Sequence, residues 1–148
     1  MESRNGELLR EAFAAARLRP TVQRRAVLNF LTTHPIHATA DEIYAAVNRQ
    51  DPRVSRATVY NNLKCLMRAG LVREVVSEGT AARFDANLQR HHHFVCDGCG
   101  ALEDIPWFDL GETATLPMLG CRRVRTFDVV FRGLCQRCGV SSSQEGEQ

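Results

Sequence analysis

Four cysteines form two doublets, Cys96-Asp97-Gly98-Cys99 and Cys135-Gln136-Arg137-Cys138, each followed by a glycine, Gly100 and Gly139. Two such turns offer four thiolates at the corners of a tetrahedron, the arrangement Zn²⁺ accepts without redox chemistry. A redox Cys-x-x-Cys pair needs one doublet at a helix start after a buried strand, and neither doublet reads that way. The expectation is a structural zinc on Cys96, Cys99, Cys135 and Cys138. It would close a loop of 38 residues between Cys99 and Cys138 and leave no open position for catalysis. The other two cysteines, Cys65 and Cys121, read as small packing side chains.

The five histidines stand at 34, 37, 91, 92 and 93. In an extended segment His91 and His93 share a face and His92 points the other way. Asp85 precedes them, Asp104 follows the first cysteine doublet, and His37 lies far upstream before a helix-like stretch. Brought together, His37, Asp85, His91, His93 and Asp104 would supply three nitrogens and two oxygens with no thiolate. Such a set suits Fe²⁺ or Mn²⁺ and would take Zn²⁺ or Co²⁺ by affinity order. The plainer reading, solvated loop histidines and surface carboxylates, stays open on spacing alone. His34 and His92 read as bystanders.

A third group lies in residues 55–70. At helical spacing Val59, Leu63, Leu66 and Met67 gather on one side, and Ala57, Tyr60, Asn61, Lys64 and Arg68 on the other. The second face offers a small residue, an aromatic, an amide able to pair with adenine and two cations, an inventory suited to the major groove of DNA. Arg49, Arg53, Arg56 and Arg73 flank it, with Asp51 and Glu74 as the only nearby acids in the sequence. The candidate DNA contacts of this helix are Arg56, Tyr60, Asn61 and Lys64. An ordinary solvated amphipathic helix is the alternative. Charge favours DNA: residues 1–90 hold 14 Lys/Arg against 9 Asp/Glu, a net of +5, and residues 91–148 hold 5 against 8, a net of −3.

The elements that must hold these groups can be read from periodicity and caps. Leu8 to Leu18 predicts a helix, and Thr21 caps a second whose Val22, Ala26, Phe30, Val27 and Leu31 face a core. Thr39-Ala40-Asp41-Glu42 is a capping box opening a third, and Ser55 caps a fourth that Gly70 ends. Strand-like Leu71–Val76, a turn at 77–80 and strand-like Ala81–Asp85 complete the helices-then-hairpin order of a winged helix-turn-helix. Beyond a His-rich joint come strands near Phe94-Val95 and Ala101–Ile105, a helix near Asp109–Leu119 and a strand at Val124–Phe131. Trp107 and Phe108 read as dimer-core aromatics. The predicted class is α+β: a winged-helix domain over residues 1–85, a hinge over 86–93, a small α/β dimerisation domain over 94–140 with the four-cysteine site, and a disordered tail over 141–148. No apolar run reaches the roughly 18 residues of a membrane helix, and Met1 to Arg10 lacks a signal peptide's apolar stretch, so the expected location is the cytoplasm and no membrane partner is expected.

These stretches resemble the ferric uptake regulator family across nearly the whole chain up to Val140. The matching segments are Arg19-Pro20-Thr21-Val22-Gln23-Arg24, Thr39-Ala40-Asp41-Glu42-Ile43-Tyr44, Ala57-Thr58-Val59-Tyr60-Asn61-Asn62-Leu63, Gly70-Leu71-Val72, Arg83-Phe84-Asp85 and His91-His92-His93-Phe94-Val95-Cys96, with the cysteine doublets. The similarity is greatest to the peroxide-sensing branch, and it implies a regulatory Fe²⁺ or Mn²⁺ on His37, Asp85, His91, His93 and Asp104. Iron-responsive members usually carry Glu where Asp104 stands. The resemblance also implies that Arg19, before the second helix, reaches toward the minor groove, and that peroxide oxidises His37 and His91. Many members complete an additional metal site with a histidine before the last strand; Thr126 and Phe127 occupy that region here, so no third site is expected.

The expected function is a homodimeric, metal-dependent repressor on inverted-repeat DNA operators, sensing peroxide, with iron or manganese uptake regulation as the alternative. A zinc-stapled interaction or redox module without a DNA role fits the basic front half poorly. A hydrolytic metalloenzyme lacks an identifiable general base, and no enzyme activity is expected.

Overall fold

The helix starts follow from side chains that satisfy orphan backbone N–H groups. In the computed structural model, which describes residues 4–34, 37–75, 81–108, 120, 122 and 127–142, the chain forms two compact units, residues 1–88 and 89–148. In the first unit α1 spans Arg4–Ala15, α2 Val22–Thr33, α3 Ala40–Gln50 and α4 Arg56–Arg68. Thr21 accepts from the Arg24 N–H, Ser55 from the Thr58 N–H, and Thr39 with Glu42 makes the full capping box. Gly70 takes φ +69° just past α4, the left-handed turn that a Cβ would oppose.

α1 ends three residues earlier than periodicity predicts, because Arg17 takes φ 51° and the Leu18 N–H turns back to the Phe13 carbonyl. Val22 does not join the core; at the first position of α2 it is 74% exposed, while Val27, Leu28 and Leu31 are buried. Leu9, Phe13, Ile43, Val47, Val59, Leu63, Leu66, Val72 and Phe84 close one apolar cluster with them. The hairpin, β2 (Arg73–Val75) and β3 (Arg83–Asp85), is part of a three-stranded sheet, because β1 (Ala38–Thr39) pairs antiparallel with β3. Alternation in the sequence predicts only the two hairpin strands. The predicted turn at 77–80 lies outside the described residues.

The second unit is a three-stranded sheet in the order β5-β4-β6, with β4 spanning His91–Cys96, β5 Leu102–Pro106 and β6 Val130–Gly133. β4 runs antiparallel to β5 and parallel to β6. The strand expected at Phe94-Val95 therefore begins three residues earlier and takes in the whole histidine run, which is buried, while the boundary between the two units falls between residues 88 and 89. A short helix, α5 (Gln136–Ser142), follows β6; periodicity does not predict it, and it carries ordered backbone two residues into the expected tail. The predicted helix near 109–119, the start of the strand at 124, Cys121, Thr126 and residues 143–148 lie outside the described residues.

Candidate metal centres and nucleic-acid interface

β4 delivers Cys96 at its end, and the turn to β5 returns Cys99 beside it: the Cys96 N–H bonds the Ala101 carbonyl at 2.9 Å and the Gly100 N–H the Cys96 carbonyl at 2.8 Å. β6 runs parallel to β4 and brings Cys135 and the start of α5, with Cys138, to the same end of the sheet. All four sulfurs lie within 4.8 Å of one another. A tetrahedron with metal–sulfur bonds of about 2.3 Å has edges of about 3.8 Å. The Cys99–Cys135 Sγ separation is 3.9 Å, an edge of that size and far from the roughly 2.05 Å of a disulfide. The donors thus fit zinc.

The four thiols perturb one another's protonation. The Cys96 thiol is lowered to about 6, first by the Cys135 N–H, which points at its Sγ from 3.3 Å. Cys138 is pushed up to about 12 because it holds its proton against Cys135, Cys99 and Cys96 in turn. A divalent cation would replace such protons. Gly98 also matters here, although nothing in the sequence distinguishes it from the other glycines. A Cβ there would lie 3.0 Å from Cys138 Cβ, 3.1 Å from its Sγ and 3.2 Å from Leu134, so the doublets pack only because this position is bare.

In the first unit the β1–β3 register pairs Ala38 with Phe84 and Thr39 with Arg83, which sets His37 opposite Asp85. Their facing atoms, His37 Nε2 and Asp85 Oδ2, are 4.0 Å apart, and both residues are 7% exposed. Arg83 holds the loop, its Nη1 donating to the His37 carbonyl at 2.7 Å. Asp85 accepts the Asn87 N–H on Oδ1 at 2.7 Å and Arg73 Nε on Oδ2 at 2.9 Å.

In the second unit His91 and His93 share a face of β4, and Asp104 stands opposite His93 on β5. His91 Nε2 lies 3.1 Å from His93 Nε2 and 3.1 Å from Asp104 Oδ1. Ligands on adjacent positions of a metal with bonds of about 2.1 Å are about 3.0 to 3.3 Å apart. His91 Nδ1 is 2.9 Å from the Gln89 carbonyl, which can only accept, so that nitrogen carries the hydrogen and Nε2 offers its lone pair, the orientation a ligand histidine needs. Asp128, which no spacing in the sequence singles out, places Oδ2 3.9 Å from His93 Nδ1.

His92, expected to be a bystander, is fully buried on the opposite face. The Val129 N–H donates to its Nδ1 at 3.1 Å, so Nε2 carries the hydrogen and donates to the Phe108 carbonyl at 3.0 Å. Its ring packs 4.6 Å from Trp107 and 4.5 Å from Phe108, and Arg90 caps Trp107 at 4.1 Å. Phe127 stands 4.9 Å from Trp107 in the same stack. Alternation along β4 predicts the opposite face but not that it is a core. Trp107 therefore packs inside its own unit, while Phe108 is 41% exposed.

On α4, Val59, Leu63 and Leu66 are buried, and Arg56, Ala57, Tyr60, Asn61, Lys64 and Arg68 are exposed. The division of faces is the predicted one. Its surroundings are less purely cationic than the sequence implies. Arg56 pairs with Asp41 of α3 and stacks over Tyr44 at 4.8 Å, Arg53 pairs with Asp51 at 2.9 Å, and Arg73 with Asp85. Asp41 is thus a nearby acid that distance along the chain conceals. Arg19 is exposed and its carbonyl accepts from Arg24 Nη1 at 2.9 Å. Cys65 is half-buried, 3.8 Å from Arg24 Nη2. Among the described residues no helix is long and apolar enough to cross a membrane.

A winged helix-turn-helix unit followed by a sheet with a four-cysteine cluster and buried histidines defines a metal-binding protein with a nucleic-acid reader. The profile of the ferric uptake regulator family matches residues 15–114, and the chain belongs to that family. It is 36% identical over 138 residues to the peroxide-responsive repressor PerR of Staphylococcus aureus strain Mu50, covering 88% of this chain and 90% of that protein. Among solved structures, the peroxide stress regulator of Campylobacter jejuni is 29% identical with a TM-score of 0.66, covering 89% of this chain and 97% of that one. The ferric uptake regulator Fur of Helicobacter pylori, described as having three functional metal binding sites, shares the fold at a TM-score of 0.72 and 19% identity, over 91% of each chain.

Proposed function

We propose that the protein is a cytoplasmic, metal-dependent transcriptional repressor that binds inverted-repeat operators in double-stranded DNA as a homodimer and senses peroxide; it is not an enzyme. The observation that carries this reading is the segregation of donors. Every sulfur of the metal-binding set lies in one cluster, while His37 with Asp85, and His91 with His93 and Asp104, offer only nitrogen and oxygen. Soft thiolates retain Zn²⁺, and the harder set suits Fe²⁺ or Mn²⁺. The peroxide-responsive relative at 36% identity supports the choice of signal.

In this reading one regulatory ion takes His37 and Asp85 from the first unit and His91, His93 and Asp104 from the second. Each unit sets its own candidate ligands beside one another: Arg83 and the β1–β3 register set His37 against Asp85, and Gln89 and β5 orient His91. Ligation from both units would favour one arrangement of them, and only that difference in affinity can shift a population toward the DNA-binding form. Two reading helices in a symmetric dimer would then meet half-sites one DNA turn apart, through Arg19, Arg56, Tyr60, Asn61 and Lys64. Exposed Phe108 and Phe131, whose rings lie 6.0 Å apart, offer apolar area for a second copy to cover. A bound ferrous ion would supply the reactivity toward peroxide that these side chains lack, and His37 and His91 are the residues expected to be oxidised.

The test compares Fe²⁺-loaded and Mn²⁺-loaded protein after peroxide, by peptide mass spectrometry and gel shift. The Fe²⁺ form gains one oxygen on peptides containing His37 or His91 and releases DNA, and the Mn²⁺ form keeps binding. Oxidation confined to cysteine would move the sensor to a thiol. Indifference to peroxide with a steep response to Fe²⁺ would make the protein an iron-uptake regulator instead.

A further inference from the structure

Asp85 does not wait for an ion with an open carboxylate. The β2–β3 register sets Arg73 directly across from it, and Arg73 Nε donates to Oδ2 at 2.9 Å. Oδ2 is also the oxygen that faces His37 Nε2, at 4.0 Å, while Oδ1 is occupied by the Asn87 N–H. The guanidinium therefore sits on the oxygen nearest to His37. A cation shared by His37 and Asp85 would meet a like charge there, in a place where the carboxylate is 9% exposed and screening is weak.

We propose that Arg73 is a built-in competitor for the regulatory ion: it holds the Asp85 carboxylate while no ion is bound and so sets the concentration at which the site fills. The inference rests on Asp85 being a ligand of that ion, as proposed above. Arginine keeps its charge at all working pH values, so the competition is an exchange of one cation for another and no proton need leave. The Arg73 side chain is 31% exposed against 9% for Asp85, so the guanidinium is the partner with a route to water. The pair also gives a buried carboxylate a hydrogen-bonded partner of opposite charge, which removing Arg73 would undo. Arg73 is a positioning and affinity-setting residue rather than a ligand.

The experiment titrates Mn²⁺ into zinc-loaded wild type, Arg73→Met, Arg73→Lys and Asp85→Asn, following free Mn²⁺ by electron paramagnetic resonance. Arg73→Met is expected to tighten Mn²⁺ binding by roughly 10- to 100-fold, the range of one charge-assisted hydrogen bond. Arg73→Lys, which keeps the charge without the directional Nε–H, tightens it less. Thermal melts give the second readout: Arg73→Met melts lower than wild type without Mn²⁺ and gains more from its addition, as linkage to a tighter site requires. A purely structural arginine would instead lower both melting and affinity. Unchanged or weaker Mn²⁺ binding in Arg73→Met overturns the proposal; if that variant does not fold, unchanged or weaker binding in Arg73→Lys overturns it equally. Asp85→Asn separates the two levels. Affinity lost there with none gained at Arg73 sinks this inference alone, whereas affinity intact in Asp85→Asn removes Asp85 from the ligand set and this inference with it.

Discussion

Replacing Gly98 with alanine tests the geometry of the cysteine cluster more sharply than removing a ligand does. The new Cβ would stand 3.0 Å from Cys138 Cβ, 3.1 Å from Cys138 Sγ and 3.2 Å from Leu134 Cδ2. Ordinary carbon contacts lie at about 3.5 to 4.0 Å, so three contacts are each too short by roughly 0.5 Å. Cys138 cannot absorb this by withdrawing its sulfur, because a zinc–thiolate bond tolerates only about 0.2 Å. The Cys96–Cys99 turn must open instead, at the cost of an overpacked site, about 1–3 kcal/mol. Since zinc binding and folding are coupled in so small a unit, that corresponds to zinc held about 5- to 150-fold less tightly. The assay is zinc release to a chromophoric chelator beside thermal melting. Gly139→Ala is the control: its Cβ would meet nothing nearer than Leu134 Cβ at 3.9 Å, and alanine within α5 should be neutral or gain about 0.5–1 kcal/mol. If Gly98→Ala retains zinc as the wild type does, or if both variants lose it alike, the steric reasoning is wrong.

Two further outcomes follow from the first unit. Lys64→Ala and Arg19→Ala should weaken operator binding without unfolding the protein, each reducing the salt slope by about one if a phosphate contact is lost; Arg56→Ala should cost less affinity, because its guanidinium is already engaged by Asp41 and Tyr44. Binding isotherms across a salt series decide this, and a larger loss at Arg56 than at Lys64 would contradict the observed pairing. The capping box predicts an acid dependence. Glu42 sits below its ordinary 4.5, first because the Thr39 N–H bonds its carboxylate, with burial opposing and the Thr39 hydroxyl and Arg83 assisting. The stability it contributes is therefore present above pH 4.5 and fades as pH falls through its lowered value. Glu42→Gln should lose stability less steeply on acidification, and Thr39→Ala should cost about 1 kcal/mol at neutral pH. Parallel acid limbs for Glu42→Gln and wild type would refute the assignment.

Local chemistry makes much of this protein legible without coordinates. Thr21, Thr39 and Ser55 mark helix starts because a hydroxyl before an apolar-periodic run has one dominant use. The exposed face of α4 follows from a period of 3.6, and the four-cysteine cluster from two doublets whose spacing admits few other chemistries. Strand alternation alone places His91 and His93 on one face.

What stays hidden are relations between residues distant in the chain. Two residues of β1 pairing with β3 decide that His37 meets Asp85, and a two-residue strand carries no periodicity to detect. The pairing of Arg73 with Asp85, and of Arg56 with Asp41, depends on register and helix crossing, so charges counted along the sequence as unopposed prove neutralised in space. His92 escapes the sequence for the same reason: its type says polar, but the aromatic side chains of Trp107, Phe108 and Phe127 and two backbone groups convert it into a satisfied core residue. Gly98 shows the smallest scale of the effect. Which of several glycines must stay bare depends on where Cys138 lies, 40 residues further along the chain, and only the folded sheet brings that sulfur to 3.1 Å.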